Sequence, residues 1–150
     1  IAPIEDSDLS RAALPIAGAI SKLTKAPVTA LTVIVPTSDI SSTFPGVLGT
    51  VPPVAFDNAN ERMMDDAKAV MDSALQTLRN DGVEAHGLIY TGTAADSIMS
   101  ALEPGDVIVL SSHARQGLTR WVIGSTSMKL IQNGQAPVVI VTRESIESAG

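Results

Sequence analysis

The chain of 150 residues contains no cysteine, which excludes a disulfide framework, a thiolate nucleophile and a cysteine-ligated zinc site. Basic residues are also scarce. The sequence has 10 lysine and arginine residues against 16 aspartate and glutamate residues, a net charge of −6, and no segment is rich in basic residues. We therefore expect neither nucleic acid nor a membrane surface as a partner. Any anion site must depend on a local arrangement of residues.

Long hydrophobic runs are absent as well. No apolar run approaches the ~20 residues that span a bilayer, and no signal-peptide pattern opens the sequence, so we expect a cytoplasmic protein. A hydrophobic content of 45% in 150 residues suffices for one core, and we expect a single domain over residues 1–150. Because the chain opens within an apparent strand and without an initiator Met, we leave open residues, or a domain, before Ile1.

The sequence lacks the motifs of several enzyme classes. It has no G-x-x-x-x-G-K-[ST] phosphate loop, no G-x-G-x-x-G dinucleotide fingerprint and no G-x-S-x-G nucleophile elbow. His86 is interpreted as a surface residue of a strand. His113 follows a strand end, where it either contacts a ligand or orders the loop by a hydrogen bond. Glu5, Asp6 and Asp8 precede a helix, and for Asp6 and Asp8 we favour capping and charge complementarity at its start.

Apolar patterns of strand and helix type alternate along the chain. The predicted strands are Ile1–Ile4, Val28–Val35, Val83–Thr91, Val107–Leu110 and Val138–Val141. The predicted helices are one near Leu9 to Leu23, Asn58–Asp81, Thr93–Leu102 and a short one that follows Gly124-Ser125 and ends near Asn133. This alternation predicts an α/β fold, an open, doubly wound five-stranded parallel sheet with helices on both faces, of the Rossmann-like type.

Two details of this reading depend on proline. In the first helix a stripe of apolar residues recurs at spacings of four and three: Leu9, Ala13, Ile16, Ile20 and Leu23. Because Pro15 would cost ~3 kcal/mol inside a helix but is tolerated in the first turn, we expect the helix to start after Leu9. Residues 36–57 hold four prolines and two glycines and are predicted to form a long loop, either a lid or partner surface or a disordered excursion.

In the second helix the predicted core face is Met64, Ala67, Met71, Leu75 and Leu78.

The stretch from Val107 to Val141 is the most informative about function. It reads as a buried strand, a loop, a short helix and a last strand. Ligands of parallel α/β sheets bind beyond the carboxyl ends of the strands, where the strand order reverses. Gly124 and Ser125 precede a helix whose first N–H groups have no partner in the helix, and this predicts an anion site.

This stretch resembles the universal stress protein family, and the resemblance covers essentially the whole chain. Nucleotide-binding members carry after the fourth strand a Gly, two residues, a Gly, nine residues, and a Gly followed by Ser or Thr. The matching positions here are Ser111, Ala114, Gly124 and Ser125. The residue types that the family commonly has in this loop also occur, at His113, Arg115, Gly117, Leu118 and Arg120. Pro3 and Glu5 match a strand-end Pro followed two residues later by an acid, usually Asp, and Val33 matches the valine that borders adenine.

The resemblance implies an adenine nucleotide alpha hydrolase-like fold that binds ATP, with or without Mg²⁺, or a related adenine nucleotide. The ligand would be regulatory, in a stress response, and not turned over quickly. The implied site residues are Pro3, Ile4, Glu5, Val33, Leu110, Ser111, His113, Ala114, Arg115, Gly124, Ser125, Thr126 and Ser127. Arg115, Arg120 and Lys129 are available to add positive charge. A homodimer is implied through the last strand, Val138 to Val141, which is an apolar edge strand that needs cover.

The departures from the family pattern leave alternatives open. Ser111 can still donate a hydrogen bond to a phosphate, but the methyl group of Ala114 crowds a loop that glycine would bring close to the phosphates. If position 114 needs a left-handed conformation, alanine costs ~1–2 kcal/mol there. The alternative is a universal-stress dimer that binds no nucleotide and acts as an interaction module. A third is a hydrolase that uses Glu5 or His113.

Overall fold

The computed structural model describes residues 1–36, 53–111 and 124–142, in which strands alternate with helices. The strands are β1 (Ala2–Pro3), β2 (Val28–Ile34), β3 (Ala85–Thr91), β4 (Ile108–Ser111) and β5 (Val138–Val141). The helices are α1 (Asp8–Thr24), α2 (Pro53–Asn80), α3 (Ala94–Ser100) and α4 (Ser125–Asn133). The predicted α/β class is confirmed, and the element boundaries differ from the predicted ones by a few residues in most cases.

All strand pairs are parallel. β1 pairs with β2, β2 with β3, and β4 with β5. The two groups of strands are joined at the backbone of Ile1, whose nitrogen donates to the Val107 carbonyl at 2.7 Å and whose carbonyl accepts from the Val109 nitrogen at 2.9 Å. The strand order is therefore β3-β2-β1-β4-β5, and it reverses between β1 and β4, the position at which such sheets bind ligands.

The sheet has a separate core on each face, because successive strand residues point in opposite directions. The first core joins the sheet to α1 and α2, and its helical members are Ala13, Leu14, Ala17, Met71, Ala74 and Leu78. The second core lies under α3 and α4, and its members are Leu31, Ile98, Ile108, Leu110 and Leu130. Val109 belongs to the first core and its neighbours in β4 to the second, so β4 is buried on both faces as predicted.

The expected late start of α1 is wrong, because the helix begins at Asp8 with Pro15 in its interior. Ser7 caps it in an extended conformation, and the Ser7 hydroxyl oxygen accepts a hydrogen bond from the Ser10 nitrogen at 3.1 Å. Pro15 lies on the exposed face of the helix. Water can therefore solvate the Arg11 carbonyl, the group whose intrahelical bond a proline at this position removes.

The predicted buried stripe of α1 is only partly correct. Leu9 and Ala13 are buried, but Leu23 is 84% exposed, and the buried stripe instead includes Leu14 and Ala17. The stripe continues along small residues, which let the helix approach the sheet closely. Leu23 lies one residue before the end of α1 and falls outside this stripe.

The predicted loop 36–57 is too long at its second end, because α2 already begins at Pro53 and not at Asn58. Proline suits the first position of a helix, where its missing N–H would have no partner in any case. Residues 37–52 lie outside the described part of the chain. The predicted core face of α2 is confirmed, with Ala67, Met71 and Leu78 buried, and Met64 and Leu75 partly buried.

Leu78 and Leu23 form a matched pair for testing this packing, since Leu78 is 0% exposed and Leu23 is 84% exposed. Leu78→Ala should lower the free energy of unfolding by about 2–5 kcal/mol, because it removes buried methyl groups and leaves a cavity. Leu23→Ala should change it by no more than about 0.5 kcal/mol. Urea denaturation followed by circular dichroism measures both. A large loss in Leu23→Ala would restore the helical face expected from the sequence.

Candidate functional site

A cavity of about 300 Å³ lies at the carboxyl ends of β1 and β4, where the strand order reverses. Its walls come from three strands and the first turns of two helices. The lining residues are Pro3, Ile4, Glu5, Leu31, Val33, Ala94, Ile98, Leu110, Ser111, Gly124, Ser125, Thr126 and Ser127. The sheet thus brings together residues that are more than a hundred positions apart in the sequence.

The β1 wall is held by backbone and hydroxyl hydrogen bonds. The Ile4 nitrogen donates to the Leu31 carbonyl at 2.8 Å, and the buried Thr32 hydroxyl donates to the Ile4 carbonyl at 3.3 Å. The Glu5 nitrogen donates to the Ser10 hydroxyl oxygen at 2.9 Å. These bonds continue the pairing of β1 past its end, so the backbone of Glu5 has a fixed position at the cavity wall.

The α4 wall is the start of a helix. Gly124 is the N-cap residue, and the first intrahelical hydrogen bond runs from the Met128 nitrogen to the Gly124 carbonyl at 2.9 Å. The N–H groups of Ser125, Thr126 and Ser127 precede this ladder and lie at the positive end of the helix dipole. The arrangement favours an anionic group in the cavity.

The backbone conformation at position 124 does not require glycine. Its φ of −58° and ψ of 156° are open to any residue. Among the described residues, a methyl group added at this position would meet only the Ser127 hydroxyl, at 4.0 Å. The described surroundings of position 124 therefore accept alanine, and the glycine leaves additional room at the cavity wall.

The third wall is apolar, and the sequence predicts only some of its residues. Val33 and Leu110 were expected from the sequence, whereas Leu31, Ala94 and Ile98 were not. Leu31 precedes Val33 by two residues and so shares its face of β2, a signal that could have found it. Ala94 and Ile98 are separated by one helical turn and share a face of α3, but nothing in the sequence places that face beside β2.

Most of the predicted site residues line this one cavity. Those that it brings together are Pro3, Ile4, Glu5, Val33, Leu110, Ser111, Gly124, Ser125, Thr126 and Ser127. His113, Ala114 and Arg115 lie outside the described residues, as do Gly117, Leu118 and Arg120 of the same loop. Their positions relative to the cavity stay predictions.

Lys129, expected to add charge to the anion site, is paired with a carboxylate. Its Nζ lies 2.7 Å from Asp96 Oδ1, which links α4 to α3 across two exposed side chains. The other oxygen of Asp96 accepts a hydrogen bond from the Thr93 hydroxyl at 2.5 Å. The Lys129 ammonium, and secondly the Thr93 hydroxyl, lower the pKa of the Asp96 carboxyl below its ordinary value.

The remaining polar candidates are surface groups. His86 is exposed, as predicted, and its Nε2 lies 3.3 Å from Glu84 Oε1. Arg11 pairs with Asp6 at 2.9 Å and with Asp8 at 2.8 Å. Asp8 lies in the first turn of α1, as expected for charge complementarity, but the predicted capping by Asp6 or Asp8 is wrong, because Ser7 caps the helix. Within the three described segments, no group of three or more histidine, aspartate or glutamate residues could hold a metal ion. No helix of those segments is long and apolar enough to cross a membrane.

A second cavity, of about 500 Å³, lies between α1 and α2 and shares Ile4 and Glu5 with the first. Its floor is apolar, with Leu14 and Val70, and its lining includes acids as well as Arg11. The first turn of α1 borders it through Ser10 and Arg11, but the carboxylates of Asp6 and Asp66 in the same lining disfavour an anion. The first cavity is therefore the better candidate for an anionic ligand.

The profile of the universal stress protein family matches residues 1–142, and the chain belongs to this family. One relative is the universal stress protein YxiE of Bacillus subtilis, 29% identical over 140 residues, which cover 92% of this chain and 94% of YxiE. Another is the universal stress protein MJ0577 of Methanocaldococcus jannaschii, 27% identical over 111 residues, which cover 71% of this chain and 68% of MJ0577.

Solved structures share the fold at lower identity. The structure of MJ0577 superposes with a TM-score of 0.72 at 22% identity, over 95% of this chain and 93% of that one. The universal stress protein of Archaeoglobus fulgidus, solved in complex with dAMP, superposes with a TM-score of 0.55 at 20% identity, over 93% of each chain. These likenesses support the doubly wound parallel sheet.

The Asp96–Lys129 pair predicts a pH-dependent contribution to stability. The pKa of Asp96 is lowered in the folded protein, so its contribution should be present above the ordinary aspartate pKa of about 4 and lost as the pH falls through the lowered value. A double-mutant cycle of Asp96→Asn and Lys129→Gln, measured by urea denaturation, should give a small coupling at pH 7 that decreases as the pH is lowered below the ordinary aspartate pKa of about 4. A coupling that does not change with pH would contradict this assignment.

Proposed function

We propose that the cavity between β1 and β4 binds ATP or a related adenine nucleotide as a regulatory ligand in a stress response, without rapid turnover. The observation that carries the proposal is the combination of an apolar wall, a carboxylate and a helix start around one cavity at the reversal of strand order. These are the three chemistries that a nucleoside phosphate presents: a flat base, a sugar with hydroxyl groups and an anionic tail.

The apolar wall suits the base. Leu31 and Val33 of β2 face Ala94 and Ile98 of α3 around the same cavity, and none of these side chains carries a polar atom. A purine ring placed between them would lose contact with water on both faces, which is favourable. The resemblance of Val33 to the family's adenine-bordering valine points to the same place.

The start of α4 suits the phosphates. The three N–H groups that precede the helical ladder can each donate to a phosphate oxygen, and the hydroxyl groups of Ser125 and Thr126 are close by. Phosphates beside α4 would explain the room at Gly124, since the described residues around it accept a methyl group. Mg²⁺ usually reaches such sites bound to the phosphates and to water, and we assign it no protein ligand.

The carboxylate suits the sugar. Glu5 is the only charged residue among the described lining residues, and an ionised carboxylate only accepts hydrogen bonds. The hydroxyl groups of a ribose are matching donors. The dAMP complex of the Archaeoglobus fulgidus relative supports an adenine nucleotide as the ligand class, although that protein shares only 20% of its sequence with this chain.

The test is to extract the purified protein with acid, identify any released nucleotide by mass spectrometry, and titrate the apo protein with Mg-ATP by calorimetry. We expect binding in the wild type. Gly124→Ala should weaken it by about tenfold or more, because the added methyl group occupies space next to the phosphates, while the unfolding midpoint stays at or slightly above that of the wild type.

No released nucleotide, together with no heat at millimolar ATP, would contradict the proposal and favour the interaction module. Ala114→Gly then shows the cause. Gain of ATP binding by this variant alone would identify the Ala114 methyl group as the block. Release of phosphate above a heat-denatured control would instead indicate a hydrolase.

We also propose that the protein forms a homodimer through β5. Among the described strands this one lies at an edge of the sheet, and the residues Val138, Val139 and Ile140 are only partly buried. On α4, the apolar side chains of Met128 and Ile131 are exposed, 39% and 42% respectively. They lie on the side of α4 away from Lys129, which contacts α3, so they extend the apolar surface at the β5 edge.

Sedimentation should therefore give a species of twice the chain mass of 15.5 kDa at micromolar concentration. Ile131→Glu should weaken association by about tenfold or more, because it places a charge in an apolar contact, without lowering the stability of the monomer. Leu88→Glu is the matched control, since Leu88 is 39% exposed on β3 at the opposite edge of the sheet, and should leave association unchanged. A wild type of 15.5 kDa would contradict the proposal.

A further inference from the structure

We infer that the ion pair between Asp96 and Lys129 fixes α3 relative to α4 and so holds the apolar wall and the α4 wall of the cavity at the separation that one nucleotide requires. Neither residue is among the described lining residues, so both are positioning residues that act through the helices that carry them. The inference rests on the proposed function, because it assigns the two walls to the base and to the phosphates of one ligand.

The pair lies close, along each helix, to the residues that line the cavity. On α3, Ala94 and Ile98 line the cavity, and Asp96 is midway between them in the sequence. On α4, Ser125 lines the cavity, and Lys129 follows it by about one helical turn. The helices have only seven and nine residues, so each moves as a unit. A displacement at the pair therefore displaces the lining residues as well.

The carboxylate of Asp96 joins the first turn of α3 to α4. Its Oδ1 lies 2.7 Å from the Lys129 ammonium nitrogen, and its Oδ2 accepts a hydrogen bond from the hydroxyl of Thr93, the N-cap residue of α3, at 2.5 Å. Near the other end of α3, the side-chain amide of Asn133 contacts the thioether sulfur of Met99. The two helices are thus connected by polar contacts at two places along α3.

The apolar packing of α3 does not replace these contacts. A helix of seven residues is too short to be stable by itself, and α3 is held on the sheet by buried side chains such as Ile98, which shares a core with Leu130 of α4. Apolar contact is non-directional, so it keeps α3 on the sheet without fixing its angle to α4. The ion pair and its hydrogen bonds are directional and restrict that angle.

The expected effect on binding depends on how many walls the ligand uses. ATP contacts both walls, and its affinity benefits when they are already at the correct separation. Adenosine has the base and the sugar but no phosphate, so it does not use the α4 wall. Because Asp96 and Lys129 are exposed, the ligand can restore the separation at small cost, and we expect a loss of about three- to fivefold in the affinity for ATP.

Two single substitutions separate positioning from charge. Asp96→Asn removes a negative charge and Lys129→Gln a positive one, so a direct effect of charge on an anionic ligand would change the affinity in opposite directions. Loss of positioning weakens binding in both. Lys129→Arg keeps the ion pair and should behave as the wild type. Lys68→Gln is the matched control, because Lys68 is also exposed and pairs with Asp65 of its own helix, 3.7 Å away.

The experiment measures the affinities of the full chain for Mg-ATP and for adenosine by calorimetry. Asp96→Asn, Lys129→Gln and their double variant should each bind ATP about three- to fivefold more weakly than the wild type and bind adenosine equally well. Lys129→Arg and Lys68→Gln should match the wild type with both ligands. Unchanged or tighter ATP binding by Asp96→Asn would overturn the inference and leave the proposed function intact. Equal weakening of ATP and adenosine would overturn it too.

If the wild type does not bind ATP, the proposed function fails, and the positioning role is decided without a ligand. NMR relaxation dispersion of the Ala94 and Ile98 methyl groups reports motion of α3 on the microsecond to millisecond timescale. It should be larger in Asp96→Asn and Lys129→Gln than in the wild type and Lys129→Arg. Equal dispersion in all four proteins would overturn the inference.

Discussion

The arrangement of this protein depends on two backbone hydrogen bonds between Ile1 and the start of β4. They join a three-stranded group to a two-stranded pair, which is too small to be stable in water by itself. They also place the end of β1 beside the end of β4, and the helices that follow these strands, α1 and α4, pack on opposite faces of the sheet. The cavity lies at these two strand ends, so the same contact defines the fold and the site.

The fold was predictable because its signals are local. The apolar run of β4 and the terminal Gly134 of α4, at a φ of 64°, have a direct physical cause in a few neighbouring residues. The predicted element boundaries were wrong where the preference of a single proline was outweighed by capping or burial of neighbouring residues. Pro15 disfavours a helix interior, but the cap at Ser7 and the burial of Leu14 and Ala17 outweigh its cost. The predicted loop likewise ends early because Pro53 can open a helix.

The lining of the cavity is predictable from the sequence where a motif lies on one element, and not where two elements meet. The sequence indicates the residues around Gly124 and at the end of β1, and these line one cavity. Ala94 and Ile98 were missed because their position depends on how α3 packs against the sheet. The pairing of Lys129 with Asp96 was missed for the same reason, since the two residues are far apart in sequence and no periodicity relates them.

Pro15 gives α1 two unequal parts. The backbone hydrogen bond that residue 15 would donate to the Arg11 carbonyl is missing, because proline has no N–H. The first turns, which hold the backbone of Glu5 through Ser10, are thus less firmly coupled to the remainder of α1. Such a segment can unfold locally at lower cost than the core. We therefore expect local opening of the N-terminal end of α1 to cost less free energy than opening of the rest of the helix.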